Sequence, residues 1–277
     1  MTEHPPFTDI HCHLLPAIDD GAADREEALA MARLAAADGI VTAVVTPHQL
    51  GCYSRNRGAE IRQRTEQLQQ LLDRQGVAVH LLPGAEIRVE PGLAGRLHAG
   101  EILSLADRRR HVLVELPADV YLPLERVVAE LCAAGIQPVL AHPERNAGIL
   151  ARPEILARLH REGCLLQITA GSLTGRFGPH AQRLAGRLVR EGLAHCVASD
   201  AHGAQSRQPR LAEAFECVRR LAGWETASRL FCSNPARIAA GAPACRVPAC
   251  RAPACGCPEG MVPAGASRGS APRQRVA

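Results

Sequence analysis

Short apolar runs rich in β-branched residues recur along the chain, separated by longer segments of Ala, Leu, Glu and Arg. The runs Phe7–His11, Ile40–Thr46, Val77–Ala85, His111–Leu116, Gln137–Ala141, Cys164–Thr169 and His195–Ser199 predict strands. Between them, Glu26–Asp38, Glu60–Gln75, Leu124–Ala134, Pro153–Glu162 and Pro179–Glu191 carry apolar residues at three- and four-residue spacing and predict helices. Gly39, Gly76, Gly135, Gly163 and Gly192 stand where a helix C-terminus wants a residue free to turn left-handed. Strand-then-helix alternation implies a parallel sheet with right-handed crossovers, as an open doubly wound sheet or a closed barrel. No Gly-rich phosphate loop follows the first strand, which argues against a dinucleotide site.

The pattern stops near Gly241. Pro243-Ala244-Cys245-Arg246, Pro248-Ala249-Cys250-Arg251 and Pro253-Ala254-Cys255-Gly256 form a short repeat, followed by Pro, Gly, Ser and Arg to Ala277. Too few large apolar groups remain there to offset the entropy of ordering, so residues 1–241 are expected to fold and 242–277 to be a disordered tail. Its cysteines match no zinc spacing well. The chain has 277 residues and a formal charge of +4, but the 27 arginines and 27 acids before residue 242 cancel, leaving the whole excess in the tail. Charge therefore does not point to nucleic acid. There is no lysine, which excludes Schiff-base and P-loop lysine chemistry, and aromatics are only 3%, which disfavours base stacking. No apolar run is long enough to span a membrane, and the start is not a signal peptide. A cytoplasmic protein with reduced, mostly structural cysteines is expected.

Polar residues collect where the strands end. Those ends read His11-Cys12-His13, Pro47-His48, Ala85-Glu86, Glu115-Leu116-Pro117, His142-Pro143-Glu144-Arg145 and Ser199-Asp200-Ala201-His202, with Asp19-Asp20-Gly21 in the first loop. In parallel α/β folds, sites form at these C-terminal ends. Singly, each group has a bland reading: a turn aspartate, a satisfied histidine, a surface arginine. Jointly, so many imidazoles and carboxylates at one end of a sheet call for cations, and mixed N/O donors suit Mn, Fe or Zn. Clustered ions of this kind favour phosphate-ester hydrolysis, for which Arg145 offers a planar fork. Cys12 is not followed by the arginine six residues on that a cysteine phosphatase needs; Ile18 stands there. Arg55, Arg57 and Arg176, in loops after strands, read as solvated charges, or alternatively as attractors of an acidic partner.

In this order the motifs resemble the manganese-dependent protein-tyrosine phosphatases of the PHP (polymerase and histidinol phosphatase) superfamily, bacterial enzymes of capsular and extracellular polysaccharide synthesis. Gly171-Ser172-Leu173-Thr174-Gly175 and Asn234-Pro235-Ala236-Arg237 add to the likeness, which spans about residues 7 to 240. The resemblance implies a distorted seven-stranded (β/α)7 PHP-type barrel and a trinuclear centre. His11, His13, Glu86 and Asp200 would hold one ion. Bridging Glu86 would share a second with Glu115 and His142. Asp20, with Asp19 as the fallback, would hold the third with His48 and His202. Arg145 would bind phosphate. Mn2+ is the first choice of metal, with Fe2+, Co2+ or Zn2+ as alternatives. The implied substrate is phosphotyrosine on a tyrosine kinase that regulates polysaccharide synthesis. Two other readings stand beside it: a small-molecule phosphomonoesterase such as a histidinol-phosphate phosphatase, and a non-catalytic metal-binding barrel. Gln49 and Cys12 depart from the commoner family residues without removing a ligand.

Overall fold

The structure, a computed structural model, describes residues 4–250. Nine strand segments, all paired in parallel, are β1 (Phe7–Cys12), β2 (Ile40–Val45), β3 (His48–Gln49), β4 (His80–Pro83), β5 (Glu86–Arg88), β6 (His111–Glu115), β7 (Gln137–Leu140), β8 (Leu165–Thr169) and β9 (Cys196–Ala198). They form two ladders, β1-β2-β4 and β3-β5-β6-β7-β8-β9. The ladders are joined along the chain, because β2 leads into β3 across Thr46-Pro47 and β4 into β5 across Gly84-Ala85. The sheet also curls back on itself. Asp200 N–H donates to His11 O and His13 N–H donates to Ala201 O, each at 2.8 Å, so the end of β1 lies against the end of β9. Asp9 reinforces that seam, accepting from Ser199 Oγ at 2.5 Å and from Ser199 N–H at 3.1 Å.

Burial alternates between the two faces of the curl. Ala43, Val45, Val112, Val114, Leu140, Leu166 and Val197 join the larger core with the helices. Val44, Leu113, Val139, Leu165 and Cys196 form a smaller cluster with Leu105 and Ile238, on the inner face. A parallel sheet covered on both faces needs near-continuous apolar strands, which is why the strand runs are legible in the sequence. On the inner face the chain turns polar towards the strand ends: Leu113 is followed two residues on by Glu115, and Leu165 by Gln167 and Thr169.

The outer helices include α1 (Arg25–Ala37), α2 (Gly58–Arg74), α3 (Leu93–His98), α4 (Glu125–Ala133), α5 (Ala147–Ala151), α6 (Ile155–Arg161), α7 (Ala170–Leu173), α8 (Gly178–Arg190), α9 (Ala212–Ala222), α10 (Trp224–Ser228) and α11 (Asn234–Ala239). The five helices expected from periodicity correspond to α1, α2, α4, α6 and α8. The short α3, α5, α7, α10 and α11 give too few turns for periodicity to register. Of the expected strand Val77–Ala85 only His80–Pro83 pairs, and Glu86, expected to follow the strand's end, instead opens a further segment, β5. Gly84 allows the break, since a Cβ there would sit 2.7 Å from Val44 Cγ1. Residues 242–250 have no helix or strand but lie against the body. Cys245 exchanges two hydrogen bonds with the Asn234 amide (2.8 and 2.9 Å), Cys250 N–H donates to Arg190 O (2.8 Å), and Val247 is buried. The remainder of the expected disordered tail lies outside the described residues.

Candidate metal centre

The strand ends converge. His11 and His13, two apart at the end of β1, point their Nε2 atoms to within 3.3 Å of each other. The backs of both rings are committed: His11 Nδ1 lies 2.9 Å from Gln167 Oε1, and His13 Nδ1 lies 2.7 Å from Asp19 Oδ2. An oxygen acceptor fixes the proton on Nδ1 and leaves the Nε2 lone pair facing inward. Two such lone pairs facing each other require a proton or a cation between them. His202 is set the same way, its Nδ1 donating to Asp200 O at 3.0 Å.

Glu86 is the hub. Its carboxylate lies 3.0 Å from His142 Nε2, 3.1 Å from His48 Nδ1, 3.4 Å from His11 Nε2 and 3.6 Å from His13 Nε2. Glu115 flanks it, 3.8 Å from His48 and 3.9 Å from His142. Four sets of donor atoms gather within 4.8 Å: His13 with Asp20, His48 and His202; His11 with Glu86 and His142; His11 with His13 and Asp200; and His48 with Glu86 and Glu115. All nine residues expected as ligands are thus at one place. Of the acidic pair, Asp20 faces the cluster, 3.3 Å from His48 and 3.6 Å from His202, while Asp19 stands behind His13 and also accepts from His48 N–H at 3.0 Å. The intervening turn packs tightly enough that a Cβ on Gly21 would lie 2.2 Å from His13 O.

Backbone strain aims some of these groups. His142 (φ 32°) and Asp200 (φ 52°) both adopt the left-handed region where their strands end. That region costs a non-glycine residue on the order of 1 kcal/mol and persists where surroundings enforce it. The electrostatics are divided in the same small space. Burial pushes His13 down, but its hydrogen bonds with Asp19 and Glu86 outweigh this and carry its pKa up to about 10. Burial and neighbouring His13 push His202 down to about 3, although the two rings are only 4.0 Å apart. Burial raises the Glu86 carboxyl, yet His11 and the other imidazoles around it hold it well below the usual range. Protons alone leave this donor set split between charged and neutral imidazoles. Divalent cations fit it: the lone pairs already converge, the rings are anchored from behind, and the carboxylates balance the charge.

Two guanidinium groups border the cluster, Arg145 and Arg207, and both bind Asp200 Oδ2, Arg207 at 2.5 Å. Arg145 also stacks on Phe177, 4.3 Å above the ring. The neighbouring Glu144 does not pair with it. Glu144 is buried and accepts from Thr169 N–H (2.9 Å) and Ser172 Oγ (2.7 Å), which fixes the loop carrying Arg145. Sequence reasoning missed Arg207, Gln167 and the backing role of Asp19. Arg207 follows no strand and belongs to no motif. A glutamine between apolar neighbours in Leu165–Thr169 was a readable signal, because a buried amide needs a partner. Cys12, as expected, takes no part: its thiol donates to Val44 O at 3.4 Å and burial raises its pKa far above the ordinary value.

A curled parallel sheet with imidazoles and carboxylates gathered at its C-terminal strand ends defines an α/β protein of the metallohydrolase type. The comparisons with known proteins narrow this. Residues 7–240 match the model of the capsular polysaccharide synthesis family CpsB/CapC, and the chain belongs to that family. It is 40% identical over 219 residues to tyrosine-protein phosphatase YwqE of Bacillus subtilis, covering 78% of this chain and 85% of that one. It is 27% identical over 236 residues to tyrosine-protein phosphatase CpsB of Streptococcus pneumoniae, covering 83% and 97%. A crystal structure from work on YwqE and CpsB, described there as unique metal-dependent tyrosine phosphatases, matches with a TM-score of 0.84 at 37% identity, over 87% of this chain and 98% of the other.

Proposed function

We propose that the chain is a metal-dependent protein-tyrosine phosphatase whose substrate is phosphotyrosine on a kinase of polysaccharide synthesis. The observation that carries this is the convergence of nine imidazole and carboxylate donors beside two arginines, in a chain this similar to named tyrosine phosphatases. The nine segments read as seven strands when β2/β3 and β4/β5 are each counted as one broken strand, and the seam between β1 and β9 supports a distorted (β/α)7 barrel. Residues 1–241 form the catalytic unit and 242–277 an appended tail. No helix among the described residues is long and apolar enough to cross a membrane, which accords with a cytoplasmic site of action.

The metal ligands are His11, His13 and Asp200 with Glu86; Glu86 with Glu115 and His142; and Asp20 with His48 and His202. Mn2+ suits this mixture of nitrogen and oxygen donors. Divalent ions bound there supply the positive charge that acidifies a water and neutralises phosphoryl oxygens. The protein does the rest. Gln167 and Asp19 hold His11 and His13 in the required tautomer. Arg145 and Arg207 turn two forks towards the phosphate and stabilise the charge that spreads over its equatorial oxygens. Arg207 Nε is a buried donor with no acceptor among the described residues. Water attacks phosphorus in line, and the bond to tyrosine breaks with its electron pair on the phenolate oxygen, a good enough leaving group to need no dedicated acid. Metal analysis of purified protein, with phosphotyrosine-peptide turnover before and after chelation and after Mn2+ return, tests the reading. Loss on chelation and recovery with Mn2+ are expected. Turnover indifferent to chelation overturns it, and faster turnover of histidinol phosphate favours the small-molecule alternative.

A further inference from the structure

A cavity of about 220 Å³ is lined by Arg176, Phe177, Arg207, Arg210 and Glu213, among others, and Phe177 is also the ring on which Arg145 stacks. Three guanidiniums therefore surround one small space, against one carboxylate. Arg207 is engaged by Asp200. Arg176 and Arg210, both exposed, have no ion pair among the described residues. Some other surface arginines are matched within their own helix, as in Arg64 with Glu60, Arg187 with Glu191 and Arg229 with Glu225, but what sets Arg176 and Arg210 apart is that they share one cavity with Arg207. The part of the chain before residue 242 has no excess of basic residues to scatter. Two uncommitted cations on one cavity thus mark a local field, and the Phe177, Ala170 and Ala214 wall lowers the dielectric in which it acts.

We propose that this cavity receives the carboxylate side chain of an acidic residue flanking the phosphotyrosine, held by Arg176 and Arg210. This rests on the phosphatase reading above. Arg207 borders both the metal cluster and the cavity, and Phe177 both carries Arg145 and lines the cavity. A peptide with its phosphate against Arg145 and Arg207 therefore has its neighbouring residues beside this cavity. The pocket selects among phosphotyrosine sequences and does not touch the reacting atoms.

Two phosphotyrosine peptides that differ only in Glu or Gln beside the phosphotyrosine test this, assayed on Mn2+-loaded wild type and an Arg176→Ala/Arg210→Ala double variant. p-Nitrophenyl phosphate serves as a substrate with no flanking residue. Wild type is expected to favour the Glu peptide about fivefold, through KM rather than kcat. The preference should collapse in the double variant and at high salt, with p-nitrophenyl phosphate turnover unchanged. Binding of the same two peptides carrying a non-hydrolysable phosphonate in place of the phosphate gives a second readout. Turnover with no charge preference, or a preference that survives in the double variant, overturns the cavity assignment alone. Charge-dependent binding of the phosphonates without turnover of any substrate overturns the phosphatase reading and leaves the cavity as an acidic-side-chain site.

Discussion

His11, at the C-terminal end of the curled sheet, and His111 and His195, at its N-terminal end, are alike in burial and opposite in chemistry. At the C-terminal end, His11 lies among Glu86, Asp200 and His13, and the carboxylates raise its pKa against the pull of burial. At the N-terminal end, His111 and His195 are also almost fully buried, but no carboxylate adjoins them and burial lowers both to about 4. His195 accepts a hydrogen bond from Leu166 N–H at 3.1 Å and lies 4.9 Å from the His160 ring. Burial alone makes a neutral structural imidazole. Burial with several carboxylates makes a cation site.

The comparison breaks most visibly if the rich end is emptied. Asp200→Asn keeps the shape of a residue that contacts three histidines and two arginines but removes its charge. Turnover of phosphotyrosine peptide should fall about a thousandfold or more, with less bound metal. Full activity and full metal content in Asp200→Asn or His142→Ala would place the chemistry elsewhere. Arg145→Ala and Arg207→Ala should each cost about a hundredfold in kcat/KM while sparing metal content, which separates phosphate binding from ion binding. Equal metal loss in these variants would mean that the arginines act through Asp200 only.

The poor end should show itself in acid. His195 has a folded pKa of about 4 against an ordinary 6.5, so the unfolded chain binds the extra proton first. Its contribution is present above pH 6.5 and is lost as pH falls towards 4. Between pH 8 and pH 5 this amounts to about 2 kcal/mol. Urea denaturation of metal-free protein should show His195→Asn losing correspondingly less stability than wild type over that range; identical slopes would contradict the assignment. A smaller effect sits beside it. Asn234 donates to His195 O and brackets Cys245, so Asn234→Ala should cost about 1–2 kcal/mol and loosen residues 242–250, read as faster proteolysis there.

The same contrast explains what the amino-acid sequence discloses. Candidate donors such as His13, His48 and Asp200 stand at the ends of apolar runs, and a parallel sheet brings all strand ends to one side, so position along the chain translates into position in space. Arg207 comes from an irregular loop with left-handed backbone (φ 49°), where no periodicity operates. The preference for Asp20 over Asp19 rests on family spacing, and the turn around Gly21 is what faces Asp20 to the cluster and sets Asp19 behind His13. α9 carries a helical pattern that the sequence reading left unassigned. The break at Gly84 was hidden because the apolar run continues through Leu81-Leu82-Pro83 to Ala85, and only a close approach to Val44 distinguishes the glycine.

The seam between His11–His13 and Asp200–Ala201 joins residues almost two hundred positions apart. During synthesis, the imidazoles of β1 leave the ribosome long before Asp200 and His202 exist, and until then they have only part of a donor set. Most of the chain must be made before the centre can close. Completion of the donor set is therefore a late event coupled to long-range strand pairing, the slow kind of contact in folding. A chain truncated before residue 195 would keep seven of the nine donors and lack β9, the strand whose end closes the sheet on β1.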